Sequence, residues 1–165
     1  MILGMSIGAF TLLHVVISVV AIGSGLIVIG GMFASARLPI TTSIFLFTIA
    51  LTSLTGFLFP ITGFTPALGV GVVACAVLAI ALIALFGKRL AGPWRWIYVI
   101  TAVISLYLNG FVIVAQSFAK VAALNALAPT QAEPPFAAAQ GLVLACFVLL
   151  GLVAVFRFRP IRAAR

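Results

Sequence analysis

The chain has 165 residues, of which 65% are hydrophobic and 6% charged, and its mean hydropathy is +1.44. An ordinary soluble domain carries about a quarter charged residues, so this chain has too little polar surface to face water. Its single acidic residue, Glu133, and its single histidine, His14, exclude a carboxylate pair, a Ser-His-Asp triad and a His-rich metal site within one chain. We therefore expect an integral membrane protein that is not an enzyme and holds no cofactor or metal.

The first predicted membrane span covers about residues 10–34, because no charge precedes Arg37 and about 20 helical residues cross a ~30 Å hydrocarbon core. Ala34-Ser35-Ala36 resembles the cleavage site of a secretory signal peptide. A basic segment is missing before the apolar stretch, however, and that stretch is longer than a signal peptide needs. We expect a retained span.

Four further apolar stretches are separated by prolines, glycines and charges, which end helices. Pro60 ends the second, Gly87-Lys88-Arg89 the third, and Pro134-Pro135 precedes the last. The predicted spans are about 40–59, 67–86, 96–117 and 136–156, with an interfacial helix at about 118–128. The prediction is an all-α, polytopic transmembrane helix bundle of about five spans that forms one domain over 1–165.

The basic residues are distributed unevenly over the loops of this five-span arrangement. Lys120 and Glu133 fall on one side of the membrane, and the other side carries Arg37, Lys88, Arg89, Arg95, Arg157, Arg159, Arg162 and Arg165. Cytoplasmic loops are enriched in Lys and Arg, so we expect the N-terminus outside and the C-terminus inside, in a cell inner membrane. The net charge of +8 then reflects topology and needs no nucleic-acid partner.

Small residues recur every four positions on two of the predicted spans. Such ridges let helix backbones approach closely, so we expect contacts with other membrane helices, of this chain or of a partner, besides contacts with membrane lipids. The two ridges consist of Ala67, Gly71, Cys75 and Ala79 on the third span and of Ala137, Gly141 and Ala145 on the fifth.

Polar residues concentrate in the outer half of the predicted bundle. Asn109 and Gln116 lie on one face of the fourth span, and an amide buried unpaired in hydrocarbon costs several kcal/mol. If the faces of the spans converge, they form a polar pocket for a lipid, a quinone-like molecule or a partner helix; simple helix packing explains the same residues. The candidate site residues are His14, Thr52, Thr55, Asn109, Gln116 and Gln140.

Two segments carry a resemblance to a known kind of protein. Leu106-Tyr-Leu-Asn-Gly-Phe-Val-Ile-Val-Ala-Gln-Ser-Phe-Ala-Lys-Val and Ala128-Pro-Thr-Gln-Ala-Glu-Pro-Pro-Phe resemble segments of small polytopic inner-membrane proteins of bacteria, a family without a known activity. The resemblance extends over most of the chain. It implies a bacterial origin and an inner-membrane location, and it implies no functional residues.

Two classes of function fit these observations. The first is a non-enzymatic accessory or structural subunit, or a small binding module with a polar pocket, because small-residue ridges suit close assembly. The alternative is a small oligomeric channel or transporter, because polar faces inside a membrane often mark a pathway. The lack of ionisable residues in mid-membrane and of an inverted repeat weighs against the alternative.

Overall fold

The computed structural model describes residues 1–60, 63 and 66–160, without the side chains of 66 and 67. The described residues form helices and no strand; one isolated bridge joins Ile2 and Met5. The helices are α1 (Ile7–Phe33), α2 (Pro39–Gly56), α3 (Pro66–Leu82), α4 (Trp94–Lys120), α5 (Ala122–Leu127) and α6 (Pro134–Arg157). Five helical segments are long and apolar enough to cross a membrane, which confirms the predicted all-α bundle.

Local chemistry determines where several helices begin and end. α1 begins before the predicted residue 10 because the Ser6 hydroxyl caps it, accepting a hydrogen bond from the main-chain N–H of Ala9 at 3.2 Å. Prolines, which have a helix-compatible φ and no N–H, start α2 and α6. α4 runs past the predicted residue 117 to Lys120, and extended backbone at Val121 separates it from α5.

The C-terminal turn of α3 widens into a π-helical segment, Ile83–Gly87. The main-chain N–H of Lys88 donates to the carbonyl of Ile83, five residues earlier, across 2.8 Å. The N–H of Leu90 then donates to the carbonyl of Ala84 across 3.0 Å, which folds the following loop back so that Leu90 is buried.

The helices run alternately up and down, so the bundle has two chemically different ends. We call one the arginine-rich end; it carries Arg37, Lys88, Arg89, Arg95, Arg157 and Arg159. The opposite end, the Glu133 end, holds the start of α1, the end of α2, α5 and the start of α6. The aromatic pairs Phe10–Phe59 and Phe118–Phe136, with ring centroids 5.1 and 5.4 Å apart, hold the Glu133 end together.

α4 is the central helix and packs against α1, α3 and α6. Its Leu106 is fully buried and lies with Phe45 of α2 against Gly25 of α1. A Cβ built at Gly25 would lie 2.7 Å from the Leu106 side chain and 2.9 Å from the Phe45 ring, so a larger residue there would force these side chains to move.

The two small-residue ridges have different surroundings. A Cβ at Gly71 on α3 would lie 3.1 Å from Cζ of Phe57, whereas Ala79 on the same ridge is exposed. The side chain of Ala67 lies outside the described residues. On α6 the whole ridge of Ala137, Gly141 and Ala145 is exposed. The contact with α4 is made instead by a neighbouring face of α6, where Phe147 lies against Gly110 and Gly151 against Val103.

Candidate functional site

A polar cluster lies between α1, α2 and α4. His14 on α1 and Thr55 on α2 form its contact nearest the Glu133 end. His14 Nδ1 lies 2.8 Å from Thr55 Oγ1, and Thr55 Oγ1 lies 2.6 Å from the main-chain carbonyl of Leu51. A carbonyl can only accept, so the hydroxyl hydrogen of Thr55 belongs to that bond and His14 Nδ1 donates to Thr55. In a neutral ring, Nε2 of His14 therefore carries the lone pair.

Ser18 lies one helical turn further along α1 and continues the cluster. Its hydroxyl donates to the main-chain carbonyl of His14 across 2.9 Å and lies 3.5 Å from Oγ1 of Thr52. One hydroxyl has one hydrogen, so the shorter bond takes it and the approach to Thr52 is a weak polar contact. Ser18 is 4% exposed, which places this part of the cluster inside the bundle.

Asn109 reaches the cluster from α4. Its Nδ2 donates to the main-chain carbonyl of Ser18 across 3.2 Å, and the residue is 7% exposed. The amide N–H thus meets a backbone acceptor on another helix, which lowers the cost of burying the amide in an apolar medium. His14, Thr52, Thr55 and Asn109, which the sequence singled out, lie together through contacts with Ser18.

The two glutamines predicted for the same site lie elsewhere. Gln140 on α6 donates from Nε2 to the main-chain carbonyl of Phe111 across 3.1 Å, so it joins α6 to α4 and stays outside the α1–α2–α4 cluster. Gln116 is exposed, and its side chain forms no hydrogen bond with the described residues. At the Glu133 end, the buried Phe10 of α1 lies against Phe59, in the segment that follows α2, so the α1–α2 contact there is aromatic.

Two further amides that sequence reasoning missed also bind to α4. Asn125 on α5 donates to the carbonyl of Phe118 across 3.1 Å, and Gln131 in the following loop donates to the carbonyl of Ala115 across 2.7 Å. Neither residue belongs to a periodic helical face, so the sequence contains no spacing signal for them. Their acceptors are main-chain atoms, which every residue possesses.

Two buried polar atoms have no hydrogen-bond partner among the described residues: Oγ of Ser105 on α4 and Oε1 of Gln140. Buried polar groups of this kind are usually bonded to an ordered water or a ligand. The described residues contain no group of three or more His, Cys, Asp or Glu side chains placed to hold a metal ion, and Cys75 and Cys146 are free thiols.

The arrangement defines a class, a multi-pass helical membrane protein whose interior polar groups connect neighbouring helices. Comparison with protein-family models, with curated proteins and with solved structures found no match to this chain.

Proposed function

We propose that the protein is a non-enzymatic integral membrane protein that acts as an accessory or structural subunit. Its five span-capable helices support the membrane location. The observation that carries the structural role is the use made of its amide side chains. Of the five Asn and Gln residues, Asn109, Asn125, Gln131 and Gln140 each donate to a main-chain carbonyl of the same chain, and only Gln116 does not.

Amides used in this way connect helices and do not present reactive groups to a substrate. Interhelical hydrogen bonds in membranes contribute on average about 0.6 kcal/mol each, so several are needed to hold an apolar bundle in one arrangement. His14, the one imidazole, donates to Thr55 and is part of the same set of contacts. A chain with one carboxylate and one imidazole also lacks the groups for most acid–base chemistry.

The proposed setting is a cell inner membrane, with the N-terminus outside and the C-terminus inside. The segregation of basic side chains to the arginine-rich end supports this orientation. Trp94 and Trp96 lie in the first turn of α4 at the same end, where aromatic side chains favour the membrane interface. The resemblance to small bacterial inner-membrane proteins remains a prediction consistent with this location.

A more specific proposal is that the protein binds a ligand in the half of the bundle nearer the Glu133 end. Gln140 Oε1 is a buried acceptor without a described partner, and the Nε2 lone pair of a neutral His14 is a second acceptor. Each could accept a hydrogen bond from a hydroxyl of a lipid or of a quinone-like molecule. A partner helix with a polar side chain would satisfy the same acceptors.

A small oligomeric channel or transporter is the second candidate. The cluster from His14 to Asn109 favours it, because polar groups inside membrane spans often line a pathway. Conduction along this route would require the bonds of Asn109 and His14 to open, because both side chains are engaged with neighbouring helices.

The test is purification from native membranes in a mild detergent, followed by mass spectrometry of proteins and bound small molecules. A structural subunit retains a second protein in constant stoichiometry through two independent purification steps. A binding module instead retains a lipid or quinone-like molecule that the Gln140→Leu variant loses while Gln116→Leu, an exposed control, keeps it. Solute flux into liposomes containing the purified chain alone, abolished by Asn109→Leu, would overturn the structural role in favour of a channel or transporter.

A further inference from the structure

Three arginines from different parts of the chain surround one depression at the arginine-rich end. Arg37 follows α1, Arg95 lies in the first turn of α4, and Arg159 follows α6. We call this depression the arginine basin; its volume is about 380 Å³, and Leu90, Gly92 and Pro160 complete its wall.

Hydrogen bonds between distant segments hold the walls of the basin in place. Nη1 of Arg95 donates to the main-chain carbonyls of Val155 and Phe158, which fastens the end of α6 to α4. The main-chain N–H of Arg159 donates to Oγ of Ser35 across 2.7 Å, which fastens the segment after α6 to the end of α1. These bonds hold three distant segments together, and the exposed side chains of Arg37 and Arg159 are not needed for them.

No acidic side chain among the described residues lies near the basin to balance its positive charge. The whole sequence contains one acidic side chain, Glu133, and it lies at the opposite end of the bundle. Like charges placed around one depression repel each other, so an anion bound among them would be favoured. Guanidinium groups bind phosphate through paired, charge-assisted hydrogen bonds, which makes a phosphate group the matching anion.

An apolar cleft of about 200 Å³ adjoins the basin and shares Arg37 and Leu90 with it. Its walls are mostly hydrophobic and include Val28, Leu85 and Phe158. Trp94, with the Lys88 ammonium 5.5 Å from its ring centroid, marks this level of the bundle as a membrane interface. A charged basin at headgroup depth next to an apolar cleft matches the two chemically different parts of a phospholipid.

We propose that the arginine basin and the apolar cleft bind an acidic phospholipid, with its phosphate between Arg37, Arg95 and Arg159 and the start of an acyl chain in the cleft. Basic pockets between membrane helices on the cytoplasmic side are known to take acidic headgroups. The site is separate from the polar cluster of α1, α2 and α4 and does not depend on the proposed structural role.

The test measures lipid preference in the full chain. The protein is reconstituted in nanodiscs with equal amounts of phosphatidylglycerol and phosphatidylcholine, extracted in mild detergent, and the retained lipids are counted by native mass spectrometry. Wild type is expected to retain phosphatidylglycerol in preference. Arg159→Gln and Arg37→Gln should each lower that preference by about tenfold, because each loses a hydrogen bond to a charged group.

Arg157→Gln is the matched control, because it removes the same charge two residues from Arg159 at an exposed position outside the basin. It should lower the preference by no more than a few-fold through diffuse attraction. Equal losses in Arg157→Gln and Arg159→Gln, or no preference in wild type, would overturn the site.

A separate arm distinguishes a lipid from free phosphate. Thermal unfolding is measured in phosphatidylcholine nanodiscs with inorganic phosphate and, separately, with phosphatidylglycerol. The lipid site predicts stabilisation by phosphatidylglycerol that Arg159→Gln removes, with little effect of inorganic phosphate. Equal stabilisation by both, lost in Arg159→Gln, would identify free phosphate as the ligand and refute the lipid.

Discussion

Asn109 on α4 donates a hydrogen bond from Nδ2 to the main-chain carbonyl of Ser18 on α1, with 3.2 Å between the two atoms. The bond joins two helices inside the bundle, where both residues are buried. Any main-chain carbonyl has a second lone pair beyond its own helical hydrogen bond. An amide on one apolar helix can therefore attach to another helix that offers no polar side chain.

Replacing Asn109 with Leu should lower the free energy of unfolding by about 1 kcal/mol, the scale of interhelical hydrogen bonds measured in membrane proteins. Gln116→Leu is the matched control, since the Gln116 side chain is exposed and forms no hydrogen bond with the described residues. The measurement is equilibrium unfolding in mixed micelles. Equal effects of the two substitutions would mean that the Asn109 bond contributes nothing.

Gly25 and Gly23, two residues apart on α1, should respond differently to substitution by alanine. A Cβ at Gly25 would lie within 3 Å of Leu106 and Phe45, both fully buried, so Gly25→Ala should cost about 1–3 kcal/mol through overpacking. A Cβ at Gly23 meets nothing within 4 Å, so Gly23→Ala should be neutral or stabilising by up to about 1 kcal/mol through helix propensity. Thermal unfolding in detergent compares them, and a stable Gly25→Ala variant would contradict the close packing.

The hydrogen bonds of Glu133 should make the stability of the protein fall at acidic pH. Its carboxylate accepts hydrogen bonds from the Thr130 hydroxyl at 2.8 Å and from the N–H groups of Thr130 and Ala132, and these bonds hold its pKa below the ordinary 4.5. The pKa is depressed in the folded state, so the stabilisation is present above pH 4.5 and is lost as the pH falls through the folded pKa. The unfolding midpoint of wild type should thus decline more over that acidic range than that of Glu133→Gln; parallel profiles would contradict the assignment.

The orientation can be tested with single cysteines in a background where Cys75 and Cys146 are replaced by Ala. Ala132→Cys lies at the Glu133 end and Ala36→Cys at the arginine-rich end, and both side chains are exposed. A membrane-impermeant thiol reagent added to intact cells should label the first and spare the second until the cells are lysed. The reverse pattern would invert the orientation drawn from the basic residues.

Part of the polar cluster could be predicted because a helix places residues three and four apart on one face. His14 and Ser18 are four residues apart on α1, and Thr52 and Thr55 are three apart on α2, so each pair shares a helical face. The same periodicity put Gln116 on the Asn109 face, yet the structure leaves it exposed. Helical periodicity shows which side chains point in the same direction. Which residues of other helices they meet depends on how the helices pack.

The sequence by itself determined the class of protein, the number of span-capable helices and the segregation of charge, because these depend on apolar length and composition, which are local properties. Only the tertiary structure decided which carbonyl each amide meets, since main-chain acceptors have no signature in the sequence. It also decided that Arg37, Arg95 and Arg159 share one basin. These three lie far apart along the chain, and they meet because α1 and α6 end, and α4 begins, at the same end of the bundle.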